Sequence, residues 1–142
     1  MCIRDRPGTF RNLRAEDLDA GLLHAERFSI SEEAAATLNA ARAAGRRVVA
    51  VGTTSTRCLE SAVSDGIIPA GEGTTRLFIR PGYRFQVVDG LLTNFHLPRS
   101  SLLMLACAFA GRERVMPAYE HAIAASYRFY SYGDAMLLER AR

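Results

Sequence analysis

The sequence contains no lysine, and each of its 18 basic residues is an arginine. Arginine carries a planar, permanently charged fork that binds phosphate through paired hydrogen bonds and stacks on nucleic-acid bases. A compositional bias in the source genome explains the missing lysine at least as well. The net charge of +3 is mild, and a solvated basic face is commoner than a binding one. Charge alone therefore permits a nucleic-acid partner without indicating one.

Long apolar runs and paired cysteines are also lacking. The longest apolar stretch, around Leu102 to Ala110, is well short of the roughly 20 residues that cross a bilayer, and no signal-peptide pattern precedes it. Cys2, Cys58 and Cys107 are odd in number and widely spaced, which fits neither a disulfide framework nor a zinc site. We therefore expect a soluble, cytoplasmic protein that does not contact a membrane and whose chemistry uses no metal.

The residues that are present predict an α/β fold with one core. Ser31 can cap a helix that Gly45 ends, and the β-branched run Arg47–Val51 follows directly. A strand over Leu18–Ile30 precedes this helix, and such alternation is typical of a sheet covered by helices. The predicted helices cover Ser31–Ala44, Ser55–Val63, Ser101–Ala110 and Pro117–Phe129.

Three other stretches are predicted from turn-forming residues. The glycines and proline between Asp65 and Thr75 predict a surface loop. The pair Asp89-Gly90 is typical of a hairpin turn, here within residues 86–91. The segment 129–138 is predicted as a short turn in which aromatic residues flank a lone carboxylate, Asp134.

The first candidate site lies where an apolar strand end meets the start of an apolar helix. Pro98 keeps the preceding residue extended, and Ser100 or Ser101 can cap the helix that follows. The free N–H groups of that helix would face the side chains that emerge from the turn, which are Thr93, Asn94, His96 and Arg99. This junction predicts a site for an anion or a polar substrate.

A second strand-to-helix junction carries Thr53, Thr54, Ser55 and Arg57 directly after Gly52. It lacks the glycines and the lysine of a nucleotide P-loop, which excludes that motif. The hydroxyl groups either cap the helix or bind a phosphate, and the residue types leave both interpretations open.

An arginine and a tyrosine lie side by side at Tyr83 and Arg84, after the turn Pro81-Gly82. They could hold a phosphate and stack on a base. Alternatively, Tyr83 covers the sheet while Arg84 stays solvated, and the residue types alone favour this second interpretation.

Four motifs together resemble one family, the S-adenosylmethionine:tRNA ribosyltransferase-isomerases of queuosine biosynthesis. The motifs are Gly52-Thr53-Thr54-Ser55 with Arg57 and Leu59-Glu60-Ser61, Pro81-Gly82-Tyr83-Arg84-Phe85, Thr93-Asn94-Phe95-His96-Leu97-Pro98 with Ser100, and Ser131-Tyr132-Gly133-Asp134-Ala135-Met136. The order and spacing match from Gly8 to Leu138, including the His24-Ala25-Glu26 step. Two departures are Gly21, where the family usually has a histidine, and Cys58, where a threonine is usual. The role of that histidine cannot be carried over.

The resemblance implies transfer and isomerisation of the ribosyl moiety of S-adenosylmethionine. The acceptor would be 7-aminomethyl-7-deazaguanine at the tRNA wobble position, and the products would be epoxyqueuosine-tRNA, adenine and methionine. It also implies no cofactor beyond S-adenosylmethionine as co-substrate. We expect a monomer whose macromolecular partner is a tRNA with a modified wobble base.

The resemblance further implies a fragment of a larger two-domain enzyme, with a mixed, strongly curved, barrel-like sheet and packed helices. Residues 1–7 match nothing in the family and are interpreted as an artefact of the sequence. Residues 8–142 would be the C-terminal part of the main ribosyltransferase-isomerase domain.

Few side chains suit the chemistry that the family implies. His96 is the first candidate for the base, since imidazole titrates near about 6.5, and Asp134 is the second. A histidine on an apolar strand is ordinarily structural, so the motif context is what makes His96 a candidate. The candidate substrate-binding residues are Thr53, Thr54, Ser55, Arg57, Tyr83, Arg84, Thr93, Asn94, Arg99 and Tyr132.

Other functions remain open at the level of sequence. An RNA-binding module without catalysis would keep its function when His96 and Asp134 are substituted. A transferase acting on a free metabolite would bind with little dependence on salt. A truncated chain could also be inactive.

Overall fold

The computed structural model describes residues 21–131 and 133–140. These residues form five strands and four helices. The strands are β1 (Leu22–Ile30), β2 (Val49–Val51), β3 (Gly71–Leu77), β4 (Gly90–Asn94) and β5 (Ala135–Glu139). The helices are α1 (Glu32–Ala43), α2 (Thr53–Ala62), α3 (Ser101–Ala110) and α4 (Arg112–Ala124). In the part of the chain described, no helix has the length and apolarity needed to cross a membrane.

The strands form two separate sheets. Helices and strands alternate from β1 to β3, and the strands pair both parallel and antiparallel, which confirms the predicted α/β fold with a mixed sheet. Strand β1 pairs antiparallel with β3, while β4 lies between β2, which runs parallel to it, and β5, which runs antiparallel. The predicted barrel-like sheet is wrong for the described residues. A closed barrel would require β2 and β5 each to pair with a second strand. Within residues 21–131 and 133–140, each pairs only with β4.

Two helices begin and end close to the predicted residues because their caps are local. The Ser31 hydroxyl accepts a hydrogen bond from the N–H of Ala34 at 3.2 Å, and the Ser100 hydroxyl accepts one from Leu103 at 3.1 Å. Helix α2 begins two residues before the predicted Ser55. Gly52 has a φ of +88°, so the chain turns directly at the end of β2 and the helix starts at once.

The prediction for α4 is wrong at both ends. Gly111 ends α3 and also begins α4, so Pro117 lies inside the helix instead of starting it. The helix ends at Ala124 because Ser126 takes a φ of +58° and Tyr127 donates its N–H to the Ala122 carbonyl at 2.8 Å. This is a Schellman end with serine where glycine is usual, and the sequence therefore gives little sign of it.

The turn-based predictions also fail where strands pair over long distances. The predicted surface loop is confirmed for residues 65–70, which lie between α2 and β3, and is wrong from Gly71, where β3 (Gly71–Leu77) begins. Gly73 lies against the Phe28 ring, where a Cβ atom would overlap the ring. Asp89-Gly90 makes no hairpin, because both N–H groups bond to the Val48 carbonyl and Gly90 opens β4. Residues 135–139 form β5, which was predicted as part of a turn.

The core gathers around α3, where Leu102, Leu105 and Phe109 are all buried. Leu105 is 1% exposed and Phe109 is fully buried. Helix α3 packs against α4 and β5, so its inner face is enclosed on more than one side.

Leu105→Ala is expected to lower the free energy of unfolding by about 2 to 5 kcal/mol, because it removes buried carbons and leaves a cavity. Urea denaturation would measure the change, with Ile123→Ala on the exposed side of α4 as the control. Equal midpoints for the two variants would contradict the assignment of Leu105 to the core.

Candidate active site

The candidate site lies at the carboxyl ends of the two parallel strands β2 and β4. Val51 is opposite Leu92, and Gly52 donates its N–H to the Leu92 carbonyl at 2.8 Å. Thr53 comes two residues after Val51, and Asn94 comes two residues after Leu92, so both residues lie at the same edge of the sheet. In open α/β sheets, ligands usually bind outside the carboxyl ends of parallel strands.

The turn after β4 holds His96 from two sides. Its Nε2 lies 2.8 Å from the hydroxyl of Thr93, which is 5% exposed, and its backbone N–H donates to the hydroxyl oxygen of Tyr119 at 2.7 Å. Tyr119 belongs to α4, so a helix far along the chain fixes the position of this turn. The ring is thereby oriented before any substrate binds.

Burial lowers the pKa of His96 to about 4, so the imidazole is neutral near pH 7. A neutral imidazole carries one proton and one free lone pair. If Nε2 donates its proton to the Thr93 hydroxyl, Nδ1 keeps the lone pair and can accept a proton. Burial also raises the pKa of Tyr119 to about 12, so its phenol remains protonated.

Acid is expected to weaken the fold through His96. Its folded pKa lies below the unfolded value of about 6.5, so the unfolded state binds more protons and the stabilisation is lost as pH falls from about 6.5 to about 4. Urea midpoints at pH 7 and pH 4.5 would measure this loss. His96→Gln should lose less between these pH values than the parent, and equal losses would contradict the assignment.

Asn94 and Asp134 are adjacent at the same edge. The Asn94 amide donates to the Asp134 carbonyl at 3.4 Å. The Asp134 carboxylate accepts the Arg128 N–H at 2.8 Å and lies 3.9 Å from the Arg128 guanidinium. The Asp134 carboxylate therefore fixes the loop before β5, whereas the Asp134 backbone carbonyl contacts Asn94.

The N-terminus of α2 lies at this edge, and no side chain of the described residues caps its N–H groups. Gly52 offers no side chain to cap the helix, and Ser55 donates its hydroxyl to the Val51 carbonyl at 2.8 Å. Thr53 is buried and Thr54 is partly exposed. The uncapped N–H groups and the positive end of the helix dipole favour an anion here.

Arg57 lies one helical turn after Thr53, and its side chain is 3% exposed. Its guanidinium pairs with the Glu26 carboxylate of β1, which is also largely buried. The Arg57 Nε has no hydrogen-bond partner among the described residues, although it is buried. A buried donor without an acceptor is costly, so this atom is a candidate contact for a group that the described residues do not include.

Glu60 is a residue that the sequence reasoning did not assign. Its carboxylate is buried, and it accepts the N–H groups of Gln86, Val87 and Val88 at 2.8 to 2.9 Å. The Tyr83 hydroxyl donates to it at 3.3 Å, and burial followed by the Glu60 charge raises the pKa of Tyr83. The polar stripe at helical spacing along α2 could have pointed to Glu60.

The structure does not bring Tyr83 and Arg84 to the carboxyl edge. The Tyr83 hydroxyl bonds to Glu60, which is seven residues after Thr53 and therefore about 10 Å farther along α2, and Arg84 is the next residue in the chain. Arg84 is exposed, and so is Arg99, which has a φ of +59°. Tyr132 lies outside the described residues. The described residues include no group of three or more side chains that could hold a metal ion.

The chain resembles proteins from several bacteria. A protein of Anaeromyxobacter dehalogenans named S-adenosylmethionine:tRNA ribosyltransferase-isomerase is 61% identical over 134 residues, which are 94% of this chain and 39% of the relative. One of the same name from Moorella thermoacetica is 58% identical over 132 residues, 92% of this chain and 39% of the relative. The chain thus spans about 39% of the length of these relatives.

A solved structure agrees with the fold. The crystal structure of an S-adenosylmethionine tRNA ribosyltransferase from Thermotoga maritima superposes with a TM-score of 0.71 at 47% identity, covering 79% of this chain and 40% of that one. Residues 5–138 match the family described as queuosine biosynthesis protein. With nearly the whole chain inside this match, the protein belongs to the queuosine biosynthesis protein family.

Proposed function

We propose that the polypeptide carrying this chain transfers and isomerises the ribosyl moiety of S-adenosylmethionine onto 7-aminomethyl-7-deazaguanine at the tRNA wobble position. The products are epoxyqueuosine-tRNA, adenine and methionine. The observation that carries the proposal is the neutral His96 imidazole, which Thr93 and Tyr119 hold at the carboxyl edge. The names of relatives about 60% identical to the chain support it.

The sulfonium of S-adenosylmethionine supplies the activation. It acidifies the neighbouring ribose carbon and makes methionine a good leaving group, so the enzyme needs a base, an acid for the departing adenine, and a dry polar pocket. His96 takes the proton from that carbon, with Asp134 as the alternative base. Thr93 fixes the imidazole, and Asn94 holds the substrate hydroxyls.

The methionine carboxylate binds at the N-terminus of α2. The uncapped N–H groups around Thr53, Thr54 and Ser55 offer it hydrogen-bond donors. The Nε of Arg57, which has no partner within residues 21–131 and 133–140, adds a charged one. The hydroxyl of Ser55 is already donated to the backbone, so its N–H is the group that remains.

The tRNA is bound by arginine and tyrosine side chains. Arg84 and Arg99 contact phosphate, while Tyr83 and Tyr132 lie beside nucleotides.

The enzyme works in the cytoplasm as a monomer without metal, and residues 8–142 form the C-terminal part of its main domain.

Arg84→Ala is expected to reduce the salt dependence of tRNA binding by about one unit in the slope of log K against log salt, because one phosphate contact is lost. Filter binding across a salt series, using the complete enzyme, would measure it. Arg114→Ala, which removes an exposed arginine from α4, is the matched control. An unchanged slope with weaker S-adenosylmethionine binding would move Arg84 to the small-molecule site.

The function itself is tested by joining this chain to the remaining portion of the Anaeromyxobacter dehalogenans relative. The product is incubated with S-adenosylmethionine and a tRNA bearing 7-aminomethyl-7-deazaguanine. Mass spectrometry of nucleosides should show epoxyqueuosine, together with released adenine and methionine. Binding of tRNA without product would favour the RNA-binding module. Turnover of the free base with no salt dependence would favour the small-molecule transferase.

A further inference from the structure

Among residues 21–131 and 133–140, the sheet formed by β2, β4 and β5 is covered on one face only. Ala50, Leu91 and Leu138 point to the core and are at most 8% exposed. The other face carries Val51, Leu92 and Leu137 in one row, because Val51 is opposite Leu92 and Leu92 is opposite Leu137. We call this row, together with Val49, the open face.

The side chains of the open face are unusually exposed for their type. Val49 is 51% exposed, Val51 67%, Leu92 37% and Leu137 65%. An ion pair between Arg47 and Glu139 at 3.1 Å borders the open face on the side of Val49, since Glu139 and Val49 are both opposite Gly90. A contiguous apolar patch with a polar rim marks an interaction surface.

The sequence of these strands also indicates burial on both faces. Residues 48–51 are continuously apolar, and so are residues 91–92 and 136–138. A strand that faces water on one side alternates apolar and polar residues, whereas parallel strands covered on both sides do not. The pair β2 and β4 is parallel, yet Val51 and Leu92 on its outer face are exposed in the part of the chain that the structure describes.

A groove widens the open face at its β2 edge. It encloses about 520 Å³ between α1 and β2, and Val49, Val51, Ala34 and Leu38 are among the residues that line it. The groove and the row share Val49 and Val51, so one layer of covering chain could fill both.

We infer that the open face and this groove are the docking surface for the portion of the longer family polypeptide that this chain does not span. The chain covers about 39% of the length of its relatives, so a covering layer of the same polypeptide is available. The continuous apolar pattern fits permanent burial within a domain, because transient partners are met by more polar surfaces.

The test compares two positions of nearly equal exposure in this chain, Leu137 at 65% and Ile123 at 66%. Each is replaced in turn, as Leu137→Cys and Ile123→Cys, in the polypeptide that joins this chain to the remaining portion of the Anaeromyxobacter dehalogenans relative. Labelling by a maleimide is followed by peptide mass spectrometry, which separates the new thiols from the native ones. Leu137→Cys should react at least tenfold more slowly than Ile123→Cys.

A second measurement avoids dependence on the joined polypeptide. The natural Anaeromyxobacter dehalogenans relative receives cysteine at the two positions that align with Leu137 and Ile123, and the same rate ratio is expected. Equal labelling rates in both proteins would overturn the inference. Protection of Leu137→Cys that disappears on dilution would assign the face to a second copy, and protection already complete in the 142-residue chain would assign it to the chain itself. Either result would also overturn the inference.

Discussion

His96→Ala in the complete enzyme is expected to lower turnover by roughly 10²- to 10⁴-fold, while S-adenosylmethionine affinity stays within a few-fold. The loss of a general base affects the transition state and leaves ground-state contacts in place. The imidazole is neutral near pH 7, so it can accept a proton without first losing one. Single-turnover kinetics would measure the chemical step, and equilibrium binding would measure the affinity.

His96→Gln is not expected to rescue the rate, because an amide keeps hydrogen bonding and cannot take a proton. Thr93→Val is the matched positioning variant: it removes the hydroxyl 2.8 Å from Nε2 and should give a smaller loss. The acid limb that belongs to His96 should lie near its pKa of about 4 instead of near 6.5. Full turnover in both His96 variants, or failure of both to fold, would make Asp134 the base to test.

Glu60→Ala is expected to lower the free energy of unfolding by about 3 to 6 kcal/mol. The change leaves the N–H groups of Gln86, Val87 and Val88 without their acceptor, and each buried donor left unpaired costs about 1 to 3 kcal/mol. Water entering the space should recover part of this loss. Urea denaturation monitored by circular dichroism would measure it.

Two companion variants separate the contributions around Glu60. Glu60→Gln keeps one acceptor oxygen and should lose less than Glu60→Ala. Tyr83→Phe removes only the hydrogen bond at 3.3 Å and should cost about 1 kcal/mol or less. If Glu60→Ala lowers the free energy of unfolding by less than Tyr83→Phe does, the segment 86–88 does not depend on this carboxylate.

Local signals explain which parts of the fold could be predicted. Ser31 and Ser100 cap helices three residues ahead, so α1 and α3 are visible within a short window of sequence. Strand β5 pairs with residues more than 40 positions away, and nothing in its own five residues identifies its partner. The pair Asp89-Gly90 has a strong turn preference, which the contacts with Val48 override.

The candidate site divides in the same way. Thr93 and His96 are three residues apart, so a motif in the sequence contains the whole contact. Tyr119 lies 23 residues from His96. Glu60 lies 26 to 28 residues from the three residues whose N–H groups donate to its carboxylate. The folded chain alone brings these groups together, and residue types at such separations do not predict the pairing.

The single residue between α3 and α4 makes the length of the chain critical at that point. Helix–helix connections commonly hold two to eight residues and tolerate insertions, but Gly111 serves both helices by itself. One residue added there would turn α4 by about 100° about its axis. Tyr119 would then leave the backbone of His96, so a change in length at Gly111 would alter the turn that carries the imidazole. Relatives that keep this tyrosine contact should therefore have no insertion or deletion at the position of Gly111.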